Sequence, residues 1–451
     1  MLKKIGILFI VTSILLGCSL HAEIPVRQAT TKPLDEPRLT ARVTIAAIGD
    51  IMVHGAQLKA AWDDGSQNYD FEPVFSQVKD FLSAVDLTIG NLETTLPGRE
   101  DLYSGYPQFG APDALAAAIK GAGVDILNTA NNHACDKGKQ GLVRTIKVLD
   151  EHGLLHVGTY QDKAAYETQR ILFVERNQIK IAVLGYTYGL NNIAIPEGTY
   201  IGIIDQQQMA EDIKLARAQN PDFIICLLHW STEYQRYPDD AQKKLLAFLF
   251  SEGVDVVLGS HPHVLQPFEL LSVTDKYGAT RPRLVIYSLG NFVSNQRDRY
   301  RDGGVILNFT LQKINAPDKG KTLNITDVHY TPTWVYVQHA TFKNQFYVLP
   351  IPRYLKNDQP LQLPVDAYQK MLTFYRDTQE HLQSGPVQEE KETKTHWSRG
   401  NNRYAFSDRL GKNLMPWPIA PGRRPEGWRQ WRWPPSSPVA LQGSAIPAGP
   451  R

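Results

Sequence analysis

Cysteine is scarce in this chain. Three occur in 451 residues, at positions 18, 135 and 226, too few and too dispersed for a disulfide framework. Charge of one sign is also missing: 48 Lys and Arg face 46 Asp and Glu, a formal net charge of +2. With no basic block standing out, the composition argues against a nucleic-acid partner. A run long enough for a permanent transmembrane helix is lacking at the N-terminus, where Ile5 to Leu16 is too short to span a bilayer. Preceded by Lys3 and Lys4, that run instead fits an export signal.

The run closes on Leu15-Leu16-Gly17-Cys18, which resembles a bacterial lipobox. That reading makes residues 1–18 a lipoprotein signal peptide and Cys18 an acylated, membrane-anchored N-terminus. An ordinary cleaved signal or an uncleaved anchor are the alternatives. Of the remaining cysteines, Cys226 lies within an apolar run and reads as a small core residue. Cys135 is either a small buried loop residue or a neighbour of a metal. Residues 19–41, polar and Pro-containing without a period, read as a flexible tether.

From about Arg42 short β-rich runs alternate with helical patterns. The strands expected are Val43–Ile48, Asp86–Ile89, Asp125–Thr129, Ile179–Gly185, Asp222–Leu228, Val254–Leu258 and Leu284–Tyr287. The helices between them are Phe71–Ala84, Pro112–Ala122, Lys139–His152, Gln207–Ala218 and Asp239–Glu252. This alternation predicts an α/β domain with helices packed over the sheet. The later runs Gly304–Leu311 and Leu323–Val337 alternate without helices between them and are expected to form a second sheet, giving a layered sandwich. The domain is assigned to residues 42–350, with a partly helical extension over 351–383. Residues 384–451, rich in Pro, Trp and Arg without period, are expected to be a disordered tail.

In open α/β sheets ligands collect beyond the carboxyl ends of the strands, and metal-competent groups stand at several of those ends. Asp50 follows Val43–Ile48, with Gly49 easing the turn. Glu93 follows the next strand. Asn131-Asn132-His133 follows the third, with Asp136 nearby to orient the imidazole and raise its basicity. His229 ends the most apolar strand. His261-Pro262-His263 delivers two imidazoles to one point, and neutral imidazole is the commonest metal ligand. Taken singly each has a bland alternative: a turn pair for Asp50, a solvated carboxylate for Glu93, helix-capping polar residues for Asn132 and His133, a hydrogen-bonded core imidazole for His229. Taken together, nitrogen and carboxylate donors converging from many strands point to a hydrolytic centre with two metal ions. Glu233, Tyr234 and Asn291 are further candidates for the same rim, as substrate-binding residues. His152, His156, His329 and His339 have no partner pattern.

The order Asp, Glu, Asn-His, His, His-x-His resembles the signature of calcineurin-like binuclear metallophosphoesterases, with Glu93 where they usually carry a second Asp. The resemblance implies Asp50 and His263 on one ion, Asn132, His229 and His261 on the other, Glu93 between them, and His133 as proton donor to the leaving group. One departure is plain: the usual Asp-x-His is absent from Asp50-Ile51-Met52, and His54, two residues later, is the remaining candidate ligand there.

The segments themselves resemble the CapA family of capsule and poly-γ-glutamate biosynthesis proteins. They are Gly49-Asp50-Ile51-Met52, Gly90-Asn91-Leu92-Glu93, Thr129-Ala130-Asn131-Asn132-His133, His229-Trp230 with Glu233-Tyr234, Ser260-His261-Pro262-His263 and Tyr287-Ser288-Leu289-Gly290-Asn291-Phe292. The likeness runs from about Val43 to Phe309. It implies a four-layer α/β/β/α sandwich of the metallophosphatase type, tethered at the cell envelope and facing the periplasm or cell exterior. It also implies divalent ions, with a donor set compatible with Mn, Zn, Fe or Co. The partners implied are an anionic polymer such as poly-γ-glutamate, membrane synthase or export components, and the membrane itself through the lipid anchor. Two functions remain open at this point. One is a metal-dependent hydrolase acting on a phosphoester or a polymer amide; the other is a non-catalytic accessory protein that binds the polymer or holds a synthase complex.

Overall fold

Strand and helix alternate through the computed structural model, which describes residues 38–316, 320–340, 343–356 and 361–383. Cys18, most of the expected tether and the Pro/Trp/Arg-rich tail lie outside the described residues. The first strand, Arg38–Ile51, begins inside the span expected to be tether. It pairs in parallel with Leu87–Leu92, which continues in parallel to Ile126–Asn128 and Leu155–Val157. On its other side it runs antiparallel to Gly303–Ala316, followed by Gly320–Gln338 and Gln345–Pro350. The short strand Asn291–Val293 pairs with its carboxyl end, Asp50 opposite Asn291. A second sheet is ordered Leu265–Thr274, Thr280–Leu289, Val256–Ser260, Phe223–His229, Ile179–Thr187, Leu172–Arg176.

The alternation of side chains along each strand builds the layers. Val43, Ile45 and Ala47 face the second sheet and join Ile181, Ile225, Leu227 and Ile286 in the central core. Ala46 and Ile48 face the other way, against Leu115 and Ile119 of the helix Ala114–Gly121. On the second sheet Ala182, Leu184, Ile224 and Leu228 face outward onto Ile213 of Gln206–Ala218 and Leu249 of Asp240–Glu252. Helices, sheet, sheet and helices form the expected four layers. Burial of the central core is what joins the two sheets; truncating a fully buried residue such as Ile45 to Ala costs about 2–5 kcal/mol.

Two local expectations need correction. The strands Gly303–Ala316 and Gly320–Gln338 do not make the second sheet; they extend the first. The reason is the length of Arg38–Ile51, whose free edge carries the long antiparallel register from Arg38 opposite Asn315 to Ile48 opposite Ile306. The helix expected over Phe71–Ala84 is instead two short ones, Glu72–Phe75 and Lys79–Ser83. Between them the Gln77 carbonyl accepts from Arg353 (3.3 Å) and its side-chain oxygen from the Tyr354 hydroxyl (3.0 Å), so tertiary contacts replace helical ones.

The segment after residue 350 forms Ile351–Tyr354 and Val365–Gln383. Met371, Phe374 and Leu382 of the latter enter the central core. Among the described residues no helix is long and apolar enough to cross a membrane.

Candidate metal centre

The carboxyl ends of the parallel strands from both sheets meet above the central core. The first strand supplies Asp50, held there by close backbone approach. Its N–H donates to the Gly290 carbonyl at 3.0 Å, and a Cβ at Gly49 would collide with that same carbonyl. Glycine at 49 is therefore required by the packing.

Asp50, Glu93, His229, His261 and His263 are all buried and share this point. Asp50 Oδ2 lies 3.1 Å from His263 Nδ1. Glu93 Oε1 lies 3.5 Å from His229 Nε2 and 3.7 Å from His263 Nε2. Asn132 Oδ1 is 2.8 Å from His229 Nε2. Two triads have ligand atoms within 4.8 Å of one another: Asp50 with Glu93 and His229, and Glu93 with His261 and His263. Glu93 belongs to both. The grouping differs from the one implied by resemblance, which pairs His263 with Asp50 and His229 with His261, but it draws on the same residues.

The electrostatics fit a cation. Both Glu93 oxygens and His261 Nδ1 are buried without a hydrogen-bond partner, and buried polar groups of a folded chain are normally paired. Burial, then the neighbouring Asp50 charge, pushes Glu93 well above the usual carboxylate range. Burial and the adjacent imidazoles hold His229 well below the usual range and His261 down to about 3. These are neutral imidazoles, the form that ligates, beside a carboxyl that lacks a counter-charge. A divalent ion answers both conditions.

His133 stands beside this centre with a different role open to it. Its Nδ1 is 2.6 Å from Asp136 Oδ2, which also accepts the Phe109 N–H at 2.6 Å. The ring packs edge-on against Phe109 at 4.6 Å between centroids. Asn131 builds the turn: its side chain accepts the His133 N–H and donates to the Leu92 carbonyl at 2.7 Å, tying it to the strand that delivers Glu93. Asp136 thus fixes the imidazole so that Nε2 is the nitrogen left for proton transfer.

The other candidates fall at the rim. Asn291 Oδ1 reaches His263 Nδ1 at 3.1 Å and its Nδ2 donates to the Arg301 carbonyl at 2.8 Å. Tyr234 is 44% exposed, with its ring 6.2 Å from His263 and its N–H on the Pro262 carbonyl at 2.8 Å. Glu233, its neighbour in sequence, is partly buried. His54 stands apart from both triads. It caps the helix Gly55–Ala61 with Gln57, accepts the Asn295 N–H at 3.3 Å, and burial holds it down to about 4.

Two residues of the centre are not on the sequence-derived roster. Asn91 donates to Asp50 Oδ1 at 2.8 Å and lies 3.3 Å from His229 Nδ1, bridging the two sheets. Its signal was present, since residues 91 and 93 lie two apart at a strand end and share a face. Tyr188, whose ring packs 4.5 Å from His261, had no pattern to betray it.

Comparison with known proteins follows the same segments. The profile of the family described as bacterial capsule synthesis protein PGA_cap matches residues 44–296. The capsule biosynthesis protein CapA of Bacillus anthracis is 29% identical over 264 residues, covering 56% of this chain and 60% of that protein. The PGA biosynthesis protein CapA of Bacillus subtilis (strain 168) is 27% identical over 264 residues, covering 57% and 65%. The chain thus spans less than two thirds of the length of these relatives. Among solved structures, the calcineurin-like phosphoesterase YfkN of Bacillus subtilis aligns at 13% identity and a TM-score of 0.36, covering 76% of this chain and 99% of that one. The NAD nucleotidase of Haemophilus influenzae aligns at 14% identity and a TM-score of 0.41, covering 76% and 63%.

Proposed function

Because the chain belongs to the bacterial capsule synthesis protein family PGA_cap, we propose that it serves the synthesis or export of a poly-γ-glutamate-type capsule polymer, as a metal-dependent hydrolase held at the cell envelope. The observation that carries the hydrolase reading is Glu93: fully buried, both oxygens without a partner, and flanked by the imidazoles of His229 and His263. Asp50, Glu93, Asn132, His229, His261 and His263 would hold two divalent ions, with Glu93 common to both. Such ions, when bound, supply Lewis acidity that neutralises charge on a substrate oxygen and acidifies water.

The chain's own residues supply the rest. Asp136 holds His133 by Nδ1, so Nε2 is the nitrogen through which a proton would pass to the departing oxygen of a phosphoester or nitrogen of an amide. Asn291 fixes His263. Asn91 fixes Asp50 and His229 relative to each other. Tyr234 and Glu233 line the exposed side and offer hydrogen bonds to substrate. Acylation of Cys18 would anchor the domain through residues 19–37, with synthase or export components and the anionic polymer as partners.

A second reading keeps the ions and drops the chemistry. It is favoured by one feature: Met52 stands where an Asp-x-His would put a ligand, and His54 lies outside both triads. In that case the centre binds polymer carboxylates and the protein acts as an accessory of the synthase.

Elemental analysis of the purified protein, combined with turnover assays on bis(p-nitrophenyl) phosphate and on poly-γ-glutamate, separates the two. The hydrolase reading expects close to two ions per chain and turnover that falls about 10²- to 10⁴-fold in His133→Ala with metal content unchanged. Ions without turnover of either substrate would leave the accessory reading. No ions even after supplementation would remove the metal centre altogether.

A further inference from the structure

The loop 295–302 runs along the exposed side of the centre and carries Arg297, Arg299 and Arg301. It is braced at several points. Arg297 donates to the Val335 carbonyl at 2.6 Å. Arg299 makes paired bonds of 2.8 and 2.7 Å to the Asp377 carboxylate. Tyr300 lies under two guanidinium groups, those of Arg236 at 4.0 Å and Arg299 at 4.8 Å. Asp302 accepts from the Trp334 indole at 2.7 Å. A loop fixed this firmly presents its remaining cation, Arg301, in a defined place.

That place is the mouth of the site. The Arg301 guanidinium lies over the Tyr234 ring, 4.4 Å from its centre, a cation against an aromatic face. Its own carbonyl is held by Asn291, which in turn holds His263. Non-glycine residues in the left-handed region cluster in this same neighbourhood: Ser231, Tyr234, His261, His263 and Tyr300, at φ between 57° and 97°. Such backbone is sparsely populated, costs energy and collects where a site must be shaped. The guanidinium is paired with Asp298, three residues earlier, whose side chain is 76% exposed. An exposed carboxylate in an ion pair contributes little and is readily exchanged.

We propose that Arg301, packed on the Tyr234 ring, is the oxyanion-binding clamp of this centre, and that Asp298 is an internal competitor that a substrate oxyanion displaces. A planar guanidinium matches phosphate and carboxylate oxygens alike, so the clamp takes an anionic group carried next to the scissile bond. The role assigned here rests on the metal-centre reading of the site, but its residues are not ligands in that reading.

The test is calorimetric titration of the metal-supplemented full chain with two probes, inorganic phosphate and a short γ-linked glutamate oligomer, in wild type, Arg301→Lys, Arg301→Gln and Asp298→Asn. Metal content is measured on the same samples. Arg301→Gln is expected to weaken probe binding about 10- to 100-fold, with Arg301→Lys intermediate because it keeps charge but loses the fork. Asp298→Asn, at an exposed position, is expected to tighten binding roughly two- to fivefold. An effect confined to phosphate assigns a phosphoester substrate; one confined to the oligomer assigns a polymer carboxylate. Equal affinity in wild type and Arg301→Gln, or weaker binding in Asp298→Asn, overturns the clamp, as does wild-type protein that carries its ions and binds neither probe. Absence of ions from wild type refutes the metal centre alone, and the clamp is then judged by whether phosphate or oligomer binding still depends on Arg301.

Discussion

Replacing Glu93 with Gln should have opposite effects on stability with and without metal. The carboxyl is fully buried, both oxygens lack a partner, and burial and the Asp50 charge push it well above the usual carboxylate range. Without ions, folding at neutral pH requires either an unpaired buried charge or a proton taken up against the bulk. An effective penalty of several kcal/mol attaches to such a charge, and Gln removes it while preserving shape. In chelator at pH 7.5 the variant should therefore be more stable than wild type by on the order of 1–4 kcal/mol, a rise in Tm of roughly 1–6 °C for a folded unit of this size. With metal in excess the order should reverse. Each ion at a hundredfold excess over its Kd adds about 2.7 kcal/mol to wild type, and Gln, neutral and common to both triads, forfeits most of that.

The pH dependence has a definite sign. A carboxyl whose folded pKa is raised contributes stability below its unfolded pKa and loses it as pH rises through the folded value. In chelator, wild type and Glu93→Gln should melt alike near pH 4, where both side chains are neutral, and diverge as pH rises. Thermal melts followed by circular dichroism, with and without chelator at several pH values, make the measurement. A Gln variant less stable than wild type in chelator at pH 7.5 would refute the reasoning, because it would mean that the carboxylate is satisfied by the protein itself.

Other perturbations reach different links of the argument. Asp136→Asn should lower turnover about 10- to 100-fold with full metal content, since it disturbs the 2.6 Å contact that holds His133 and touches no ligand; steady-state rates and elemental analysis check it. Gly49→Ala should destabilise the fold by about 1–3 kcal/mol, because the added methyl meets the Gly290 carbonyl; urea unfolding reads the loss, and an unchanged midpoint would contradict the close approach. Cys18→Ala should release the protein from the membrane fraction of cells that express it, and persistent membrane association would count against acylation.

How much of this was readable from the chain depends on what kind of interaction places each residue. Asp50, Glu93, Asn132, His229, His261 and His263 could be named because each follows a run of buried residues with strand character, and in parallel sheets such ends converge by topology alone. Alternation along the strand did the rest, and would also have delivered Asn91, which shares a face with Glu93. The sheet to which Gly303–Ala316 belongs was not readable. Its partner is chosen by the free edge of Arg38–Ile51, more than two hundred residues away, and strand pairing leaves no local mark at that separation. The break in Phe71–Ala84 is of the same kind, because Gln77 is captured by Arg353 and Tyr354 from the far end of the domain.

Arg301 marks the boundary between the two. In sequence it is one arginine in a run of alternating charge, and such runs are usually solvated surface. Only the braced loop, with Tyr300 packed against two guanidinium groups and Arg299 on Asp377, converts that run into directed side chains. The candidate ligands follow from secondary structure; the anion contact proposed at Arg301 follows from a loop braced by the strand Gly320–Gln338 and by Asp377 of the helix Val365–Gln383, both beyond the residues that the family profile matches. Variation in that helix should therefore alter which anion the centre accepts while leaving its ions in place. Asp377→Ala tests this: it should weaken Arg301-dependent binding of phosphate or oligomer with unchanged metal content, and unaltered binding would mean that the loop holds its shape without the helix.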